Sequence, residues 1–138
     1  MIRFVLDTDT CVFWLRGHQG VEQRILKVGV DDMAISIVTV CELTYGAWKS
    51  QRRQENLRVV DRLCQQLQIL HTTNEVSHLF GRWKAQLEKS GIPLDDVDLL
   101  IAAITHAHDC TLVTNNQSHF RRLPELAVDN WATPSNAP

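Results

Sequence analysis

Short apolar runs that each end on an acidic or polar residue and then give way to a helical pattern leave few architectures open to this chain. Residues 2–6 run into Asp7-Thr8-Asp9-Thr10, Met33 to Val38 runs into Thr39, and Thr111 to Thr114 runs into Asn115-Asn116. Leu67 to Leu70 is a further run, and Leu126 to Val128 a shorter one. Each is rich in strand formers and apolar on both faces, as strands buried on both sides are. The intervening segments read as helices over Cys11–Arg16, Val21–Val28 (ended by Gly29), Gln51–Gln66, Asn74–Lys89 (closed by Ser90-Gly91) and Leu99–His108. Thr39 is expected to cap a helix carrying Cys41, Leu43, Thr44 and Ala47, and a helical turn is expected over Gln117–Arg122. Strands alternating with helices predict an α/β fold, a three-layer sandwich with a central parallel sheet of four to five strands.

With 138 residues the chain suffices for one domain, expected over 1–131 with a loose tail over 132–138. A net charge of −2 excludes a protein that coats nucleic acid, so any such contact must be local. The apolar runs are far shorter than the ~20 residues of a membrane span, no signal-peptide pattern opens the chain, and a cytoplasmic location is expected. Cys11, Cys41, Cys64 and Cys110 form no C-x-x-C pair and read as reduced core thiols rather than zinc ligands.

In parallel sheets ligands gather at the carboxyl ends of the strands. There stand Asp7 after the first run, Glu42 one turn into the helix after the second, Asp98 at the head of the apolar helix, and Asn115-Asn116 after the fourth. Carboxylates crowded on one sheet edge repel one another, and a hard divalent cation such as Mg²⁺ or Mn²⁺ offsets that repulsion with oxygen ligands. Such ions activate water in phosphodiester hydrolysis. Each acid also has a local alternative: Asp7 or Asp9 as a cap of the first helix, Asp95 as a cap with Asp98 at its third position, Glu42 as a first-turn carboxylate. The joint placement of Asp98 before Leu99 to Ile104 and of Glu42 between Cys41 and Leu43 favours a site.

The segments Val5-Leu6-Asp7-Thr8, Ile37 to Gly46 with Glu42 at its centre, Asp98 to Ala103, Leu112 to Asn116, and the closing Phe120, Leu126 and Asn130-Trp131 together resemble a PIN-domain ribonuclease of the VapC toxin type, in order from Ile2 to Trp131. The resemblance implies a PIN-like sheet and a Mg²⁺- or Mn²⁺-dependent endoribonuclease. It also implies a homodimer, silenced by a VapB-type antitoxin that in turn binds DNA, and an RNA substrate such as tRNA or ribosomal RNA. By the family's pattern Asp7, Glu42 and Asp98 hold the metal and Asn116 completes the site. Asp9 stands where relatives often carry Asn, and Asn116 where many PIN domains carry a fourth Asp, which leaves one fewer fixed charge and favours a single ion.

Phosphate contact then falls to basic residues: Lys49 to Arg53, Arg82 with Lys84, and above all His119-Phe120-Arg121-Arg122 beside Asn116, with Arg121 and Arg122 as substrate contacts. Phe13, Trp14 and Trp48 read as core residues, and His106 and His108, two apart on a helix, as structural. Two other readings stand beside the nuclease. Leu6-Asp7-Thr8-Asp9-Thr10 also resembles the D-x-D-x-T signature of haloacid-dehalogenase-type phosphohydrolases, with Asp7 as nucleophile; a binding module without activity is the other.

Overall fold

The computed structural model describes residues 1–133. Its centre is a five-stranded, wholly parallel sheet in the order β3-β2-β1-β4-β5. The strands are β1 (Phe4–Leu6), β2 (Met33–Ser36), β3 (Gln68–Leu70), β4 (Thr111–Val113) and β5 (Val128–Asp129). The helices are α1 (Thr8–Leu15), α2 (Gln19–Val28), α3 (Ile37–Lys49), α4 (Arg53–Gln66), α5 (Asn74–Lys89), α6 (Asp96–Ala107) and the single turn α7 (Gln117–Phe120).

Successive strand residues point to opposite faces, and the core divides accordingly. Val5, Ala34 and Leu112 pack with α5 and α6, through Val76, Leu79, Trp83 and the fully buried Ile101 to Ile104. Leu6, Met33, Ile35 and Val113 pack on the other face with Cys11, Val21, Ile25, Leu43, Ala47, Val60 and Leu63 from α1 to α4. The α/β sandwich expected from the alternation is therefore observed, with helices on both faces. Trp131 closes the second layer edge-on to Phe4 at 5.1 Å, and Ala132 packs beside it. Of the expected tail, residues 134–138 lie outside the described residues. Among the described residues no helix is long and apolar enough to cross a membrane.

Several expectations need correction. The second strand stops at Ser36, and Ile37 and Val38 already belong to α3. The helix is capped by the buried Ser36, whose hydroxyl accepts from the Thr39 backbone N–H at 3.1 Å, so Thr39 is the residue capped and not the cap. A run of β-branched residues reads as strand, yet a side-chain acceptor at the right offset starts the helix within it. Losing that acceptor in Ser36→Ala should cost about 1–2 kcal/mol, because the Thr39 donor is buried and water cannot replace the bond; a urea-unfolding midpoint unchanged from the parent's would contradict it. The fifth strand lies at Val128–Asp129, later than expected. Cys41 is exposed and Cys64 half-buried, so only Cys11 and Cys110 are buried thiols. Trp48 is exposed rather than core, whereas Phe13 and Trp14 pack half-buried on the second layer. His106 stacks on Trp83 at 5.4 Å and the His108 ring meets the Ile104 carbonyl at 2.9 Å, both structural as expected.

Candidate active site

From β1 the chain winds to β2 and β3 on one side of the sheet, then returns to β4 and β5 on the other, so the strand order reverses at the β1–β4 pair. A crevice opens where such a reversal occurs, at the carboxyl ends of the strands. Asp7 follows β1 directly and Thr114 follows β4, and the Asp7 backbone N–H donates to the Val113 carbonyl at 2.9 Å.

Asp7 is buried, and its two oxygens do different things. Oδ1 accepts from the Thr8 backbone N–H at 2.8 Å and caps α1, while Oδ2 accepts from the Thr114 hydroxyl at 2.8 Å across the β1–β4 seam. Capping and membership of the crevice are thus compatible in one carboxylate. Asp9 lies beside it, with Oδ2 accepting from the Asn115 backbone N–H at 3.0 Å. Glu42 projects from α3 and is exposed; its Oε1 accepts from the Thr8 hydroxyl at 2.6 Å, and that hydroxyl also meets Thr39 Oγ1 at 3.1 Å. Thr8 therefore joins the helix that Asp7 caps to the helix that carries Glu42.

Asp98 occupies the third position of α6 behind its cap Asp95, which accepts from the Val97 and Asp98 backbone N–H groups at 3.1 and 3.4 Å. The half-buried Asp98 carboxylate lies 3.8 Å from His119 Nδ1, and the same nitrogen meets Asn116 Nδ2 at 3.0 Å. Asn116, exposed, is thereby linked to Asp98 through His119.

Burial, and next the charge of Asp9, push the Asp7 carboxyl up to about 7, with a smaller contribution from Asp98 and opposition from its two hydrogen bonds. Burial also raises Asp9, against hydrogen bonds that lower it. Asp98 is raised by burial and then by Asp95, with Glu42 adding to the effect and His119 opposing it. The crevice thus holds more negative charge than its neighbours offset.

The donor set suits a hard cation: carboxylates and hydroxyls, with His119 the one nitrogen ring against them. Among the described residues no three His, Cys, Asp or Glu side chains stand at ligating distance around one point. An ion of the Mg²⁺ type takes one or two carboxylates and retains waters, so a pair of these acids suffices to hold it.

Other candidates fall elsewhere. Asp96 is bound to Lys84 at 2.9 Å and Arg82 approaches Glu125 at 3.5 Å, so these are ion-paired surface residues. Arg52 is likewise paired with Glu55 at 3.7 Å. The Arg122 guanidinium donates to the Pro93 carbonyl in the loop before Asp95, and Arg121 is exposed one turn beyond Asn116. What sequence reasoning missed is the hydroxyl wiring by Thr8, Thr39 and Thr114. The signal was present, since a Thr follows Asp7 and another ends the fourth run.

A family model described as the PIN domain matches residues 4–126. The tRNA(fMet)-specific endonuclease VapC of Salmonella typhimurium is 31% identical over 131 residues, covering 95% of this chain and 99% of that one. Ribonuclease VapC2 of Rickettsia felis is 32% identical over 130 residues, covering 93% and 97%. The crystal structure of DNA-bound VapBC from Salmonella typhimurium superimposes with a TM-score of 0.89 at 32% identity, covering 95% of this chain and 99% of that one. With the strand-end acids, the parallel sheet and near-complete coverage by such relatives in agreement, the chain belongs to the PIN-domain family as a VapC-type ribonuclease toxin.

Proposed function

We propose that this chain is a divalent-metal-dependent endoribonuclease that hydrolyses phosphodiester bonds in structured RNA and so inhibits translation, as the toxin of a toxin–antitoxin pair, with 1–131 as the nuclease domain. The observation that carries the proposal is the set of acids at the β1–β4 seam, where burial raises Asp7, Asp9 and Asp98 and neighbouring carboxylates add to the effect at Asp7 and Asp98. Asp7, Asp98 and Glu42 would hold Mg²⁺ or Mn²⁺ between them, some directly and the rest through the waters such an ion retains. When bound, the cation supplies the positive charge that acidifies an attacking water and stabilises the leaving oxygen.

The chain's own residues position these groups. Thr114 and the Thr8 N–H fix the Asp7 carboxylate, and the Thr8 hydroxyl holds Glu42 toward it. His119 Nδ1 accepts from the Asn116 amide with its ring beside Asp98, while Arg121 and Arg122 offer charge to the RNA backbone. That a Salmonella relative carries the name tRNA(fMet)-specific endonuclease supports tRNA as the first substrate class to test.

The solved Salmonella relative is a VapBC complex on DNA, which supports a VapB-type antitoxin as partner and DNA contact through it. The free chain is proposed to be a homodimer, and family membership over almost the whole chain speaks against the phosphohydrolase alternative. Mg²⁺ or Mn²⁺ should support cleavage of tRNA and Ca²⁺ should not, because the smaller ions hold tighter octahedral geometry. Full cleavage in excess EDTA refutes the proposal.

A further inference from the structure

On the far side of Glu42 from the core, α3 presents a face that no part of the described chain covers. Tyr45 is 65% exposed and Trp48 53% exposed, large apolar rings that a folded chain usually buries. Both carry a cation. Lys49 Nζ lies 5.2 Å from the Tyr45 ring centre, and the Arg53 guanidinium 4.8 Å from the Trp48 ring centre. Arg53 is pinned there: its Nε donates to the Trp48 carbonyl at 3.0 Å. The turn from α3 to α4 is fixed by the Ser50 hydroxyl donating to the Ala47 carbonyl at 2.7 Å and by Asn56 Nδ2 donating to the Ser50 hydroxyl at 2.9 Å. Among the described residues Lys49 and Arg53 form no ion pair, as most Lys and Arg side chains here do not; what sets these two apart is the exposed ring each lies over. Their charge is spent on aromatic rings and on solvent.

We propose that Tyr45 and Trp48, with Lys49 and Arg53, form a stacking platform for the unpaired RNA bases that flank the phosphodiester presented to Asp7, Glu42 and Asp98. The inference rests on the ribonuclease reading and adds where the substrate's bases go. Exposed rings accept bases of any sequence, and neighbouring cations meet the phosphates between them. The platform adjoins the acids, since Glu42 and Tyr45 are three residues apart and so neighbours on the surface of α3, with Trp48 one such step further on. From Glu42 to Trp48 is six residues, about 9 Å of helix rise, close to the span of three bases at ~3.4 Å each. Charge favours RNA over a second copy of this chain. A two-fold contact through one patch sets Lys49 and Arg53 against themselves, whereas a nucleic acid brings the phosphates they lack.

The test uses the 138-residue chain and a short, fluorescein-labelled, mixed-sequence single-stranded RNA for affinity, read by anisotropy in EDTA, with cleavage of tRNA read separately with Mn²⁺. Trp48→Ala and Tyr45→Ala should each weaken binding about tenfold, Trp48→Phe should restore most of it, and the exposed-apolar control Leu26→Ala should leave it unchanged. In cleavage the same losses should appear in KM, with kcat within about twofold of the parent's. Affinity unaltered in Trp48→Ala, in a parent that cleaves RNA, overturns the platform alone. So does a Trp48→Ala protein that keeps its RNA affinity but dissociates into monomers or escapes its antitoxin. A parent that binds RNA through these rings and never cleaves it overturns the ribonuclease reading and leaves the platform standing.

Discussion

Asp98→Asn will stop RNA hydrolysis while leaving RNA binding almost intact. The substitution keeps the shape of the side chain and leaves the α6 cap in place, because the cap is Asp95 and the bond at Asp98 is made by its backbone N–H. What it removes is one negative charge from the crevice, and with it one of the acids proposed to hold the cation. Turnover should fall by a factor of about a hundred to a thousand or more, the scale lost when one preorganised electrostatic group is deleted from an active site. If affinity comes from the cations and exposed rings proposed above, the dissociation constant in EDTA should stay within about threefold of the parent's. Single-turnover cleavage and anisotropy on the same preparation check both halves. Equal loss of binding and cleavage would mean that Asp98 supports the RNA-binding surface rather than the reaction.

Asp7→Asn will raise the stability of the metal-free protein at neutral pH. The folded carboxyl is raised to about 7 from an ordinary value of 3.8. Below about pH 4 it is protonated in both states and contributes nothing. Between that pH and about 7 the folded chain holds a proton that the unfolded chain has released, so stability falls as pH rises, and above about 7 the full cost of the buried charge is present. A shift of this size corresponds to roughly 4 kcal/mol, of which about 1–2 kcal/mol is offset because the Thr114 hydroxyl donates to Oδ2, where Asn carries an NH2 group. Asn still offers an oxygen to the Thr8 N–H, so the helix cap survives while the charge is lost. In EDTA at pH 8 the variant should melt roughly 5–10 °C above the parent, and the gap should close toward pH 4. Mn²⁺ should raise the parent's Tm more than the variant's, reversing or shrinking the difference. A variant that melts lower at every pH, beside a parent indifferent to Mn²⁺, would show the carboxylate to be a cap and nothing more.

The parts of this molecule that follow from local periodicity could be read before folding. The long helix α5 has the bounds its amphipathic pattern gives, Asn74–Lys89, and the apolar run after Asp98 is the most buried helix because nothing polar interrupts it. Asp7 and Asp98 were legible for a related reason: each sits where an apolar element begins or ends, so its place at the sheet edge follows from the element's place in the sheet. Failures came where two local signals compete or where tertiary contact decides. Ile37 and Val38 favour a strand by side-chain shape, and the hydroxyl of Ser36 overrules them. Trp48 and Cys41 looked like core by residue type, yet the buried face of α3 is already filled by Thr39, Leu43 and Ala47. The Thr8–Glu42 and Thr114–Asp7 bonds join residues 34 and 107 positions apart, so a Thr at each strand end marks a candidate donor but no local pattern names its partner.

The register of the sheet also governs when the acid crevice can assemble during synthesis. β1 leaves the ribosome first, but one of its edges pairs with β4, Val5 lying opposite Leu112 and Leu6 opposite Val113. Synthesis proceeds from the N-terminus at about 5–20 residues per second, so Asp7 waits several seconds for the strand whose Thr114 holds it. Pairing across so long a separation is slow because the loop entropy must be met before any contact forms. Until then the acid crevice has no second wall, and Asp98 and Asn116 have no fixed relation to Asp7. The crevice therefore cannot assemble until the β4 segment has been made, and Asp7 stays without its Thr114 partner through the synthesis of every residue between them.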